Sequence, residues 1–115
     1  MKWPASLEEA FDLHSHTISE EEVERVREAV RLRRVRFSPH ATNQRIDRGI
    51  SAGDVISVIL NQPAVSKDLP NNNLDRKPGL NFQGKAPSRI EIRVKVTWLA
   101  GYVVATTHEI EPYDD

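Results

Sequence analysis

Arg89-Ile90-Glu91-Ile92-Arg93-Val94-Lys95-Val96-Thr97-Trp98-Leu99-Ala100-Gly101-Tyr102 is the stretch whose reading decides the fold. From Ile90 to Trp98 apolar side chains alternate with charged or hydroxyl ones, the period of a strand with one face on a core and the other polar. Ala100-Gly101 reads as a tight turn and Tyr102 to Ile110 as the returning strand. A two-residue loop sets the register: Leu99 opposite Tyr102, Thr97 opposite Val104, Lys95 opposite Thr106 and Arg93 opposite His108. The face away from Ile92, Val94, Val96 and Trp98 thereby gathers two cations, a hydroxyl and an imidazole. A one-residue change in loop length would put Thr107 where His108 stands. Solvated sheet faces also carry Arg, Lys and Thr as a matter of course, so the strands alone do not choose between a site and a wetted surface.

Working outward, the N-terminal third reads as helical. Ser6-Leu7-Glu8-Glu9 and Ser19-Glu20-Glu21-Glu22 both match the capping box. The second has Ile18 placed to staple against Val23, then Val23, Val26 and Val30 down one stripe and Arg31, Arg33 and Arg34 at the end, which suits the helix dipole. A short helix over 6–13 and a longer one over 19–33 are expected. His14 and His16 fall in the link between them, where they read as surface histidines or, less simply, a metal clip. Val35-Arg36-Phe37 is a short strand. Ile50-Ser51-Ala52-Gly53-Asp54 repeats the staple-and-cap pattern ahead of an apolar helix through Leu60, and Ala64 to Leu69 reads as a strand. Pro70 to Pro78, with three consecutive asparagines, reads as a mobile loop, and Leu80 to Phe82 as a further strand. Helices first and an antiparallel sheet after them give an α+β fold class.

Between Phe37 and Ile50 lies a helix of a different kind. Ser38 suits the N-cap, Pro39 the first helical position and Gly49 the residue past the end. His40, Gln44 and Arg48 form one stripe with Arg45 beside it, and only Ala41 and Ile46 are apolar. Such a helix is either solvent-facing or the wall of a site that handles phosphate.

The 115 residues suit one domain, and 38% apolar with 29% charged residues is a lean but ordinary globular balance. The absence of cysteine excludes disulfides, thiol nucleophiles and Cys-based zinc sites. No apolar run approaches the roughly 20 residues of a membrane span, and the acidic start does not resemble a signal peptide, so a cytoplasmic protein without membrane contact is expected. A net charge of −1 conceals an asymmetry: residues 31–95 carry thirteen Lys/Arg against five Asp/Glu, and the two ends three against twelve. A basic middle with acidic ends fits either clustered surface charge or a polyanion-binding centre.

Metal-free RNA cleavage needs a base for the ribose 2′-hydroxyl proton, an acid for the leaving oxygen and cations around the phosphorane-like transition state. His40 and His108 are the proton-transfer candidates, with Thr106 beside them; Arg45, Arg48, Arg93 and Lys95 are the phosphate candidates. The helix dipole favours a neutral His40, which suits a base, although a histidine there also serves simply as part of the helix start. No metal or cofactor is expected.

Phe37-Ser38-Pro39-His40-Ala41, then Arg48-Gly49-Ile50-Ser51 and Asp54-Val55, resemble the signature of a small bacterial domain family of uncharacterised function. That family is grouped with the RelE-like and barnase/EndoU/colicin-type ribonuclease toxins. The resemblance covers roughly residues 35–108. It implies N-terminal helices on a curved antiparallel sheet of about four strands, with His40, Arg48 and Thr106 or Thr107 at site positions. The family often has Arg four residues after the His, where this chain has Gln44, with Arg45 one step later. The resemblance further implies a toxin-like endoribonuclease, RNA as substrate and a cognate antitoxin or regulatory protein as partner. The expected organisation is a helical N-terminal extension over 1–33, a RelE-like domain over 34–110 and an acidic tail over 111–115. The alternative is a non-catalytic RNA- or protein-binding module on the same fold, with the acidic first helices as the docking element.

Overall fold

The computed structural model describes residues 11–12, 14–39, 49–69, 78–99 and 102–109, without the side chains of Leu99, Tyr102, His108 and Glu109. Among the described residues two helices and five strands follow in the order α1 (Glu20–Arg31), β1 (Val35–Phe37), α2 (Ala52–Asn61), β2 (Ala64–Asp68), β3 (Gly79–Lys85), β4 (Glu91–Leu99) and β5 (Tyr102–Glu109). Of the helix expected over 6–13 only Phe11 and Asp12 are described, and neither is helical. The polar helix beyond Pro39 and the loop over 70–77 lie outside the described residues.

Both helices start where their capping boxes predict. The Ser19 hydroxyl accepts from the Glu22 N–H while the Glu22 carboxylate accepts from the Ser19 N–H, and Ser51 and Asp54 do the same for α2. Each cap satisfies amides that the first helical turn leaves without partners, and its serine is worth about 1 kcal/mol. Asp54 is also buried against the turn after β3, where its carboxylate accepts from the Ser88 hydroxyl at 2.9 Å. Burial by itself would push this carboxyl up, but the bonds from Ser88 and Ser51 outweigh it and hold Asp54 below its ordinary range. Helix α1 is closed just past its end by Arg33, whose φ of 62° is left-handed, with the Arg34 N–H donating back to the Ala29 carbonyl. That is the arrangement of a Schellman ending in a position usually given to glycine. Gly49, at φ 70°, occupies the left-handed position expected of it.

The sheet corrects the expectation of about four antiparallel strands. It has five, in the order β1-β5-β4-β3-β2, and it is mixed: β1 runs parallel to β5, with Val35 on Val103 and Phe37 on Ala105. A three-residue strand shows no periodicity of its own, and its partner lies 68 residues away, so its pairing leaves no local trace. The other ladders are antiparallel, and β4 pairs with β5 in the expected register, Leu99↔Tyr102 through Arg93↔His108.

The helices cover one face of the sheet. Val26, Ala29 and Val30 of α1 and Val55, Val58 and Ile59 of α2 pack in one buried cluster with Leu80, Phe82, Ile92, Val94, Val96, Val103 and Ala105. Helix α1 thus shares its core with the strands. Arg27 fastens α1 to the end of α2, its guanidinium donating to the Ile59 carbonyl at 2.9 Å and the Gln62 carbonyl at 2.8 Å. Those are carbonyls that a helix C-terminus otherwise leaves without partners. On β2 the register shifts between Ala64 and Ser66. The extra residue, Val65, turns outward at 48% exposure, and Lys67 turns in. The Lys67 ammonium, 0% exposed, lies 2.6 Å from the Glu22 carboxylate, 1% exposed, and 4.5 Å from the centroid of the Phe11 ring. Phe11 in turn packs on Trp98, ring centroids 4.5 Å apart.

Two glycines of β3 mark close approaches of different kinds. A Cβ on Gly79 would lie 2.5 Å from the Val96 carbonyl oxygen, a backbone atom of the neighbouring strand, whereas one on Gly84 would meet the flexible Gln62 side chain. Gly79→Ala is therefore expected to lower the unfolding free energy in urea by about 1–3 kcal/mol. Gly84→Ala costs less, because Gln62 can swing away and forfeit only its bond to the Lys85 carbonyl at 3.3 Å.

Candidate functional site

The face opposite the helices is polar and organised around β4. Arg93 and Lys95 project there from alternate positions of the central strand. The Arg93 guanidinium donates to the Ser66 hydroxyl at 2.8 Å, and the Lys95 ammonium lies 2.9 Å from the Asp68 carboxylate. Between them on β3, the Asn81 amide donates to Ser66 at 3.0 Å and to the same Asp68 oxygen at 3.3 Å. Two strand residues therefore hold their cations against groups from the edge strand β2, across β3.

The other flank of β4 carries the candidates of β5. Thr106 is the register partner of Lys95, and His108 that of Arg93. The Thr106 hydroxyl stands 3.4 Å from that of Ser38, and the Ser38 N–H donates to the Ala105 carbonyl at 3.2 Å. The chain thus leaves β1 fastened to β5 at Thr106. Arg36 shares the polar side, as the register partner of Val104.

Of the residues expected in the site, Arg93, Lys95 and Thr106 come together on this face, and His108 takes the register position beside them. His40, Arg45 and Arg48 lie outside the described residues. The two threonines part company: Thr107 is buried on the helix side, with a hydroxyl that has no hydrogen-bond partner. Sequence reasoning missed Ser66, Asp68 and Asn81, which belong to the face only because β3 and β2 follow β4 in the sheet, an order no local pattern encodes. Ser38 entered the sequence reading as a helix cap and as part of the quoted signature, not as a neighbour of Thr106.

A cleft of about 530 Å³ lies elsewhere, at the start of α1 and the turn before β2, bordered by Ile18, Val23, Arg27 and Pro63. Its lining also carries the carboxylates of Glu20 and Glu24, and its arginine already caps α2. Among the described residues no three His, Asp or Glu side chains come together as a metal-binding group, and no helix is long and apolar enough to cross a membrane. No family model, no curated protein and no solved structure matches this chain, so the likeness to the ribonuclease-toxin group rests on the residues quoted for it above.

Proposed function

We propose that this chain is a toxin-like, metal-independent endoribonuclease of RelE-like architecture, acting on RNA in the cytoplasm and controlled there by a cognate antitoxin or regulatory protein. The observation that carries this reading is the pairing of β4 with β5, which sets Arg93 opposite His108 and Lys95 opposite Thr106, with the Ser38 hydroxyl against Thr106. His40 follows Ser38 by two residues, a covalent reach of about 7 Å. In the proposed reaction His40 takes the proton of the ribose 2′-hydroxyl and the freed oxygen attacks phosphorus. His108 protonates the departing 5′-oxygen, leaving a 2′,3′-cyclic phosphate and a 5′-hydroxyl. Arg93, Lys95, Arg45 and Arg48 balance the charge that builds on the phosphoryl oxygens, and Thr106 donates to one of them.

Incubating the purified protein with RNA in EDTA tests this. Fragments ending in 2′,3′-cyclic phosphate are expected, and equal, negligible cleavage by the wild type and His40→Ala overturns it. A second reading, a non-catalytic RNA- or protein-binding module, is favoured by one observation: Lys95 and Arg93 already have partners in Asp68 and Ser66. Salt-dependent RNA binding without turnover identifies it.

A further inference from the structure

We propose that Asn81 and Lys95 form a subsite for one phosphate oxygen, and that Asp68 occupies it as a resident anion until RNA displaces it. The inference rests on the RNA-cleaving reading for the identity of the displacing anion; the subsite itself requires only an anion.

Asn81 and Lys95 are cross-strand partners in the middle of the sheet, on β3 and β4. Their donors converge on a single atom, Oδ2 of Asp68, the ammonium at 2.9 Å and the amide at 3.3 Å. An anionic oxygen between an ammonium and an amide N–H has the surroundings that a phosphodiester oxygen takes from the same groups. Asn81 is 5% exposed, and its amide is oriented by Ser66, which Arg93 also holds. Asp68 is the last residue of the edge strand, and both members of its ion pair are about one-quarter exposed (26% for Lys95 and 24% for Asp68). An ion pair this wet is weak and exchangeable. A phosphate arriving from solvent can take the Asp68 position without rearranging β3 or β4. Asp68 thereby sets how tightly the face accepts an anion, and Asn81 joins the phosphate-binding residues.

Fluorescence anisotropy of a labelled single-stranded RNA, titrated over a range of salt, tests the proposal on the wild type, Asp68→Ala, the shape-conserving Asp68→Asn and Asp68→Ala/Lys95→Ala. Asp68→Ala is expected to bind about fivefold tighter near 0.1 M salt, its log K falling more steeply with log salt by about 0.7, because one more phosphate is neutralised. Asp68→Asn shifts in the same direction, and the double variant loses the gain. Unchanged or weaker binding in both single variants overturns the subsite. So does a gain that survives in the double variant, since loss of a negative charge alone then accounts for it. If none of the proteins binds RNA, inorganic phosphate is titrated while the Asn81 side-chain amide is followed by NMR. Movement in Asp68→Ala keeps the subsite and removes the RNA reading, whereas no movement overturns the subsite.

Discussion

Lys67→Met is expected to lower the unfolding free energy by about 3–5 kcal/mol, the cost of leaving one member of a buried ion pair without the other. The Glu22 carboxylate would remain enclosed with the N–H donors of Ser19 at 2.8 Å and Asp12 at 3.0 Å but without its counter-charge. Glu22→Gln strands the opposite charge: the ammonium would keep the Thr17 carbonyl at 3.4 Å and the face of Phe11. The double variant Glu22→Gln/Lys67→Met removes both charges, keeps a residue able to close the capping box and fills the lysine stem's volume with an unbranched apolar chain. It is expected to recover most of the loss. Urea unfolding of the four proteins checks this, and a double variant as unstable as Lys67→Met would show that packing around the stem, rather than charge, is responsible.

The same carboxylate gives the fold an acid limit. Burial alone would push Glu22 up, but the bonds from Lys67, Ser19 and Asp12 outweigh it and hold the group below its ordinary range. A carboxylate depressed in the folded state contributes stability that is present above its unfolded pKa, about 4.3, and is lost as pH falls through the folded value. The wild type therefore weakens in acid below that range, and Glu22→Gln shows a shallower fall from a lower starting point.

This ion pair also shows where sequence reasoning stops. Glu22 was legible as the N3 residue of a capping box, and it is that, but its carboxylate also receives a lysine 45 residues further on. Lys67 was legible only as a residue within a strand, because its inward turn depends on the bulge at Val65, which follows from the pairing of β2 with β3 and has no mark in the sequence. The hairpin was legible down to its register, since the alternation from Ile90 to Trp98 fixes the faces of one strand and a two-residue loop at Ala100-Gly101 carries them to the other. The caps at Ser19 and Ser51 and the left-handed Gly49 were legible because each is settled within four residues. The parallel partner of β1 and the network of Ser66, Asn81 and Asp68 were not, because both depend on strand order.

Removing either proposed proton-transfer residue is expected to reduce RNA cleavage by about 10²–10⁴. The two losses differ in their pH dependence. A base must be deprotonated and an acid protonated, so the wild-type rate rises and then falls with pH. His40→Ala takes away the base and flattens the acid limb; His108→Ala takes away the acid and flattens the alkaline limb. The threonines test the register behind this assignment. Thr106→Val removes a hydroxyl from the polar face and slows cleavage. Thr107→Val replaces a buried hydroxyl that has no hydrogen-bond partner, leaves the rate unchanged and keeps or raises stability. The reverse pattern, with Thr107 essential and Thr106 dispensable, would move the chemistry to the helix side of the sheet. There it would meet none of the cations of β4, and neither the reaction nor the Asp68 subsite could stand as proposed.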